Sequence, residues 1–219
     1  MKFKEVDKLN IDVKEAVKKR VSTRSFEEKA LSKEDKNRLM DFYNSLTNPF
    51  DVNVRVQYIS KDSGADGVKL GTYGTIKGAK GYPAEKRSLL EKLNGAGLGS
   101  KNRKSFDKIF FLKDFDHALS KDEAGEYEQA LEMLRLAPSA TNAQPWAVVK
   151  EGNKFHFFCD YKSNINEDMI KIKHLDLGIA LSHFHQTAIS DGLKGKFEIE
   201  DVNITLTENM HYVISYIAE

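Results

Sequence analysis

The chain has 219 residues, of which 40% are hydrophobic and 31% charged, a length that suits one domain with a sizeable core. Its 34 Lys and Arg nearly cancel its 33 Asp and Glu, leaving +1 and none of the basic excess of a dedicated nucleic-acid binder. The single cysteine, Cys159, excludes an internal disulfide and a cysteine-type metal site. With no signal-like or bilayer-length apolar run, the expectation is a soluble, cytoplasmic protein with neither membrane nor nucleic acid as partner.

Taken in chain order, Asn10–Arg20 reads as an amphipathic helix, with Ile11, Val13, Ala16 and Val17 at near-helical spacing. Ser32, followed by Glu34 and Asp35, reads as the N-cap of a second helix running to about Leu46, stopped by Asn48-Pro49. Val52, Val54, Val56 and Tyr58 alternate with polar residues as in a strand. Lys61–Gly81 is glycine-rich loop, Glu85–Leu93 helical, and Gly95–Lys104 a flexible basic connection. Ser120 starts a third helix through Leu136, and Trp146–Lys150 and Lys154–Tyr161 form a hairpin around Gly152. Leu175–Ser190 is the last helix, ended by Gly192, and HYVISYIAE a final strand.

The segment around Phe26 to Asp35 is echoed around Phe115 to Glu123. This suggests two similar halves, 1–94 and 105–219, within a single domain 1–219, although any two capped helix starts look alike.

Three segments could carry chemistry. In APSATNAQPW (Ala137–Trp146), Pro138 ends a helix, and Ser139, Thr141, Asn142 and Gln144 place hydroxyl and amide groups before a buried strand. Such a loop can bind the polar edge of a planar heterocycle, or it can be a capping turn that satisfies its own polar groups. In Arg20-Val21-Ser22-Thr23-Arg24, two arginines four apart flank a hydroxyl and could meet one phosphate, or could form a solvated basic patch. In LDLGIALSHF (Leu175–Phe184), Leu177, Ala180, Leu181 and Phe184, continued by Ala188, form a packed stripe, with Gly178 placed to allow close helix approach.

Elsewhere the residues read as structural. His183 and His185, two apart on a helix, make a poor metal pair, so no metal is expected. Lys101–Lys104 reads first as a solvated loop, with contact to a nucleotide phosphate as the lesser reading, and the spaced glycines of Gly71–Gly81 lack the ending of a phosphate loop. Cys159 reads as a buried structural thiol.

APSATNAQPW resembles the signature of the nitroreductase family, and Arg20, Ser22 and Arg24 resemble its N-terminal arginine–serine box, with Val21 standing where a basic residue is common. LDLGIALSHF resembles a helix of one branch of that family, known mainly from sequence, in which the arginine box comes early and APSxxNxQPW late. The resemblance implies an α+β fold with a central, mostly antiparallel sheet flanked by helices, and a homodimer with the site at its interface. It implies an FMN-dependent NAD(P)H oxidoreductase reducing nitroaromatics, quinones or similar small-molecule acceptors by ping-pong hydride transfer. FMN would be held by Arg20, Ser22 and Arg24 at the phosphate and ribityl end, and by Pro138, Ser139, Thr141, Asn142 and Gln144 at the ring, with Gln144 and Trp146 locking the loop. No catalytic side chain is implied, because the flavin carries the chemistry. One departure stands out: Lys80–Glu85 joins runs that the branch separates by a central segment, so that segment reads as missing. A flavin-binding or sensing module with little turnover is the alternative it favours.

Overall fold

The computed structural model describes residues 9–21, 31–50, 52–56 and 102–219. Ser22 and Arg24, the helix expected at Glu85–Leu93, the glycine-rich loop, Gly95–Lys101 and the first copy of the internal echo around Phe26 lie outside the described residues.

Helix α1 (Val13–Lys19) starts where the Asp12 carboxylate accepts the Glu15 N–H at 2.9 Å. Its apolar positions Val13 and Val17 lie one turn apart and pack on Met133 and Leu136. Helix α2 (Lys33–Ser45) is capped by Ser32 as the sequence predicts, but it buries none of its residues. Val52–Val56 forms no strand, a correction to the period-two reading: Val52, Val54 and Val56 are exposed and pair with no strand among the described residues.

The second half forms a five-stranded sheet in the order β1-β2-β3-β5-β4. The strands are β1 (Phe110–Leu112), β2 (Trp146–Glu151), β3 (Lys154–Asp160), β4 (Gly195–Glu198) and β5 (Met210–Ala218). Only β1–β2 is parallel; the other three pairings are antiparallel, as expected. The parallel pair obliges the chain between β1 and β2 to cross over. That crossover holds α3 (Lys121–Ala124), α4 (Glu128–Arg135) and the APSATNAQPW loop. The single helix expected from Ser120 is broken: a capping box of Ser120 and Glu123 starts α3, and Gly125, at φ 62° and ψ −139°, ends it. A 3-10 turn (Gly125–Tyr127) then leads into α4.

Helix α5 (Glu167–Ser190) begins two turns before the expected Leu175, because Asn166 caps it by accepting the Met169 N–H at 2.9 Å. Its stripe Leu177, Ala180, Leu181, Phe184 and Ala188 is buried against the sheet, as the spacing predicts. Gly178 departs from expectation: it is exposed, and a Cβ there would meet nothing within 4 Å. The close approach belongs to Gly195, where a Cβ would lie 2.5 Å from the Ile217 carbonyl and 2.6 Å from the Tyr216 ring.

The core on the helix side of the sheet is aromatic. Phe184 stands edge-on to Phe157 and Tyr216 at 5.3 and 5.2 Å, and Tyr127 lies 4.9 Å from Phe155. Each such side chain stabilises the fold by about 1.5–3 kcal/mol through burial. The opposite face packs Ala147, Val149 and Phe158 under Phe111, Phe115, Ile204, Met210 and Tyr212. Cys159 is fully buried, and desolvation pushes its thiol up to about 12, so it is the inert structural thiol expected.

Candidate functional site

The polar loop begins where α4 runs out of helix. Ala137 N–H bonds to Leu134 O at 3.0 Å, and Pro138 has no N–H with which to continue. A short 3-10 turn (Ala140–Asn142) follows, with Asn142 N–H to Ser139 O at 3.1 Å and Ala143 N–H to Ala140 O at 3.0 Å. Within it Thr141 and Asn142 stand at φ 52° and 58°, and Gln144 follows at 49°. Left-handed backbone is uncommon for residues with a side chain, above all for β-branched Thr.

Much of the loop's polar chemistry is committed inside the chain. Ser139 Oγ accepts the Gln144 N–H at 2.8 Å. Gln144 is buried, its Oε1 accepts Lys104 N–H at 2.8 Å, and its Nε2 donates to Asn102 O and Asn142 O, each at 3.2 Å. Asn142 Nδ2 donates to Asn102 O at 2.8 Å, and its Oδ1 accepts from Arg103. Thr141 is exposed, its hydroxyl donates to Ala140 O at 2.7 Å, and its backbone N–H meets no acceptor among the described residues. Trp146, at the head of β2, is buried as well.

The basic residues Arg103 and Lys104 also meet the polar loop. Read from sequence as part of a solvated loop, both are half-buried against the polar loop. Besides Asn142, Arg103 donates to Leu136 O at 3.5 Å, and Lys104 Nζ donates to Gln144 O at 3.0 Å. Burial first, then the charges of Arg20 and Arg135, hold the Arg103 guanidinium below its ordinary value. Arg135 is neutralised by Glu132, 2.6 Å away, whereas Arg103 has no carboxylate partner among the described residues. Arg20, at the C-terminal end of α1, is also half-buried, and desolvation lowers its value too. His183 of α5 feels both Arg20 and Arg103, and burial chiefly keeps it below its usual range; its Nδ1 lies 3.1 Å from Met133 O. His185 faces away from it, against Phe197 and Tyr216.

Thus the first residue of the arginine box and the polar loop, distant in sequence, are brought into one neighbourhood with Arg103 between them. A desolvated guanidinium with no carboxylate partner is suited to a multiply charged anion. These residues therefore fit the phosphate end of a flavin nucleotide, and the uncommitted Thr141 N–H fits the polar edge of its ring.

Residues 79–188, half of the chain, match the family model described as "Putative TM nitroreductase". The match takes in the polar loop and Arg103 but not the arginine box. The chain belongs to this nitroreductase family, and so to a class of oxidoreductases. The fold is similar to that of a "putative nitroreductase" from Thermotoga maritima solved by crystallography, at a TM-score of 0.54 and 17% identity. The likeness covers 96% of this chain and 95% of that one. No protein of curated function matches the chain. Among the described residues no helix is long and apolar enough to cross a membrane.

Proposed function

We propose that the chain is an FMN-dependent NAD(P)H oxidoreductase that reduces nitroaromatic, quinone or similar acceptors. The observation that carries this reading is Arg103, a half-buried cation without a carboxylate among the described residues, which feels the charge of Arg20 and is bonded to Asn142 of the signature loop. Bound FMN would supply the redox chemistry, taking a hydride from NAD(P)H and passing the electrons to the acceptor. The chain supplies the binding. Arg20 and Arg103 would offer planar guanidinium forks to the phosphate, and the family resemblance alone adds Ser22 and Arg24, outside the described residues, to Arg20 in holding the phosphate and ribityl groups. Thr141 N–H serves the ring, and Ser139, Asn142, Gln144 and Pro138 act chiefly as the frame that keeps it in place. No side chain need act as acid or base.

The expected homodimer is supported by apolar surface on α2 and beyond it, where Leu39, Phe42, Leu46, Val52, Val54 and Val56 are all exposed. Sedimentation of the purified chain tests this, and a monomer at micromolar concentration counts against it.

The deciding experiment for the cofactor is the visible spectrum with and without added FMN. A yellow protein bleached by NADPH or NADH and restored by a quinone is the expected result. A yellow protein that neither nucleotide bleaches supports a binding or sensing module instead. A colourless protein that takes up no FMN overturns the proposal. Arg20→Gln is expected to weaken FMN binding about tenfold or more while sparing riboflavin, which has no phosphate.

A further inference from the structure

Helix α5 carries one residue that its packing does not explain. Asp176 sits beside Leu177 on the buried side of the helix and is only 5% exposed, the sole buried acid among the described residues. Both of its carboxylate oxygens lie 3.0 Å from the same donor, the N–H of Ala140. The nearest counter-charge is Lys173, whose ammonium donates elsewhere, to Asp160 O at 3.2 Å. Desolvation raises the Asp176 carboxyl, so its ionised form is held at a cost that an apolar residue in the same place would avoid. What the carboxylate does supply is an acceptor for the residue that opens the left-handed stretch. Ala140 is followed directly by Thr141 and Asn142 at φ 52° and 58°, conformations that persist only where the surroundings over-determine them.

We infer that Asp176 is the positioning residue of the flavin ring site: its grip on Ala140 N–H fixes Thr141 in its left-handed conformation and so leaves Thr141 N–H as the donor to a polar atom of the isoalloxazine. The inference rests on the flavin reading proposed above. It assigns the two ends of the cofactor to separate residues, Arg20 and Arg103 for the phosphate and Asp176, through the loop, for the ring.

Titrating FMN and riboflavin separately into the full chain, followed by flavin fluorescence quenching and thermal melting, tests it. Asp176→Ala is expected to lose about tenfold in affinity for both flavins equally, the worth of roughly one good hydrogen bond. Asp176→Asn should restore most of that loss, because its amide oxygen can accept the same N–H. Arg20→Gln should weaken FMN and spare riboflavin. An Asp176→Ala chain that melts as the wild type does and binds riboflavin undiminished overturns the inference, as does a loss confined to FMN. If that variant does not fold, amide NMR of the wild-type chain decides. The Thr141 N–H resonance should shift on adding riboflavin, and an unmoved resonance overturns the inference. Wild-type protein that binds neither flavin overturns the flavin reading, and this inference with it.

Discussion

Two of the chain's tight reversals that need left-handed backbone are built differently. In the hairpin between β2 and β3 the position falls to Gly152, at φ 59°, with open space where a Cβ would stand. In the signature loop it falls to Thr141, Asn142 and Gln144, at 52°, 58° and 49°. Glycine adopts such angles at no steric cost, whereas side-chain-bearing residues pay on the order of 1–2 kcal/mol each. The hairpin needs no help. The loop has a great deal of it, from Asp176 on Ala140, Ser139 on Gln144, Lys104 on Gln144 and Arg103 on Asn142. Strain that is kept and braced in this way marks a place where a particular presentation of groups matters more than stability.

Acid should separate the two regions most strongly. Burial pushes His185 from 6.5 down to about 4, so the unfolded chain takes up a proton there that the folded chain refuses. Stability present above pH 6.5 is therefore lost as the pH falls toward 4, by about 3 kcal/mol. His185 lies against Phe197 and Tyr216, on the strands that complete the sheet beside the hairpin. Asp176 works with the opposite sign. Its raised carboxyl means the folded chain holds that proton more tightly than the unfolded chain does, so acid relieves the loop while rising pH loads it. Thermal melts from pH 8 to 4 should fall steeply for the wild type and less steeply for His185→Gln, in which His156, His174 and His183 are still held below their ordinary values by burial. A wild-type profile that is already flat would remove His185 from the argument.

Removing one brace should come next in size. Arg103→Leu deletes the bonds to Asn142 and Leu136 O and is expected to cost about 2 kcal/mol in urea denaturation, with the hairpin amides still protected from exchange. Equal loosening of both reversals would show that Arg103 supports the whole fold and not the loop. The smallest effects are the sharpest. Gly152→Ala should cost about 1 kcal/mol, whereas Thr141→Gly should be neutral or slightly stabilising, because relieved strain offsets the added freedom of the unfolded chain. If the two substitutions moved stability in the same direction, the contrast between the two turns would be lost.

What was legible in the sequence was local. The caps at Ser32 and Ser120, the helix stop at Pro138, the hairpin at Gly152 and the α5 stripe each rest on neighbours a few positions away. Strands β1 and β4 went unread because three or four residues carry no periodicity, and their existence depends on β2 and β5. Arg103 and Lys104 looked solvated for the same reason: the groups they bond stand more than thirty positions later in the chain. Asp176 was visible in principle. It lies one turn before Ala180 and beside Leu177, so an acid on the edge of an apolar stripe was the available signal. Conversely, Val52 to Val56, which pairs with no strand among the described residues, shows that alternation alone makes no strand.

Strand β5 comes last in sequence, yet it is inserted between β3 and β4 and pairs with both. While the protein is being made, β3 must wait with one edge bare, and β4 with no partner at all, until residue 218 has left the ribosome. Open edges of that kind are where nascent chains stick to one another. Folding of this half is therefore expected to wait for β5, and a ribosome stalled before Met210 would hold a chain whose signature loop has been translated but whose sheet cannot close.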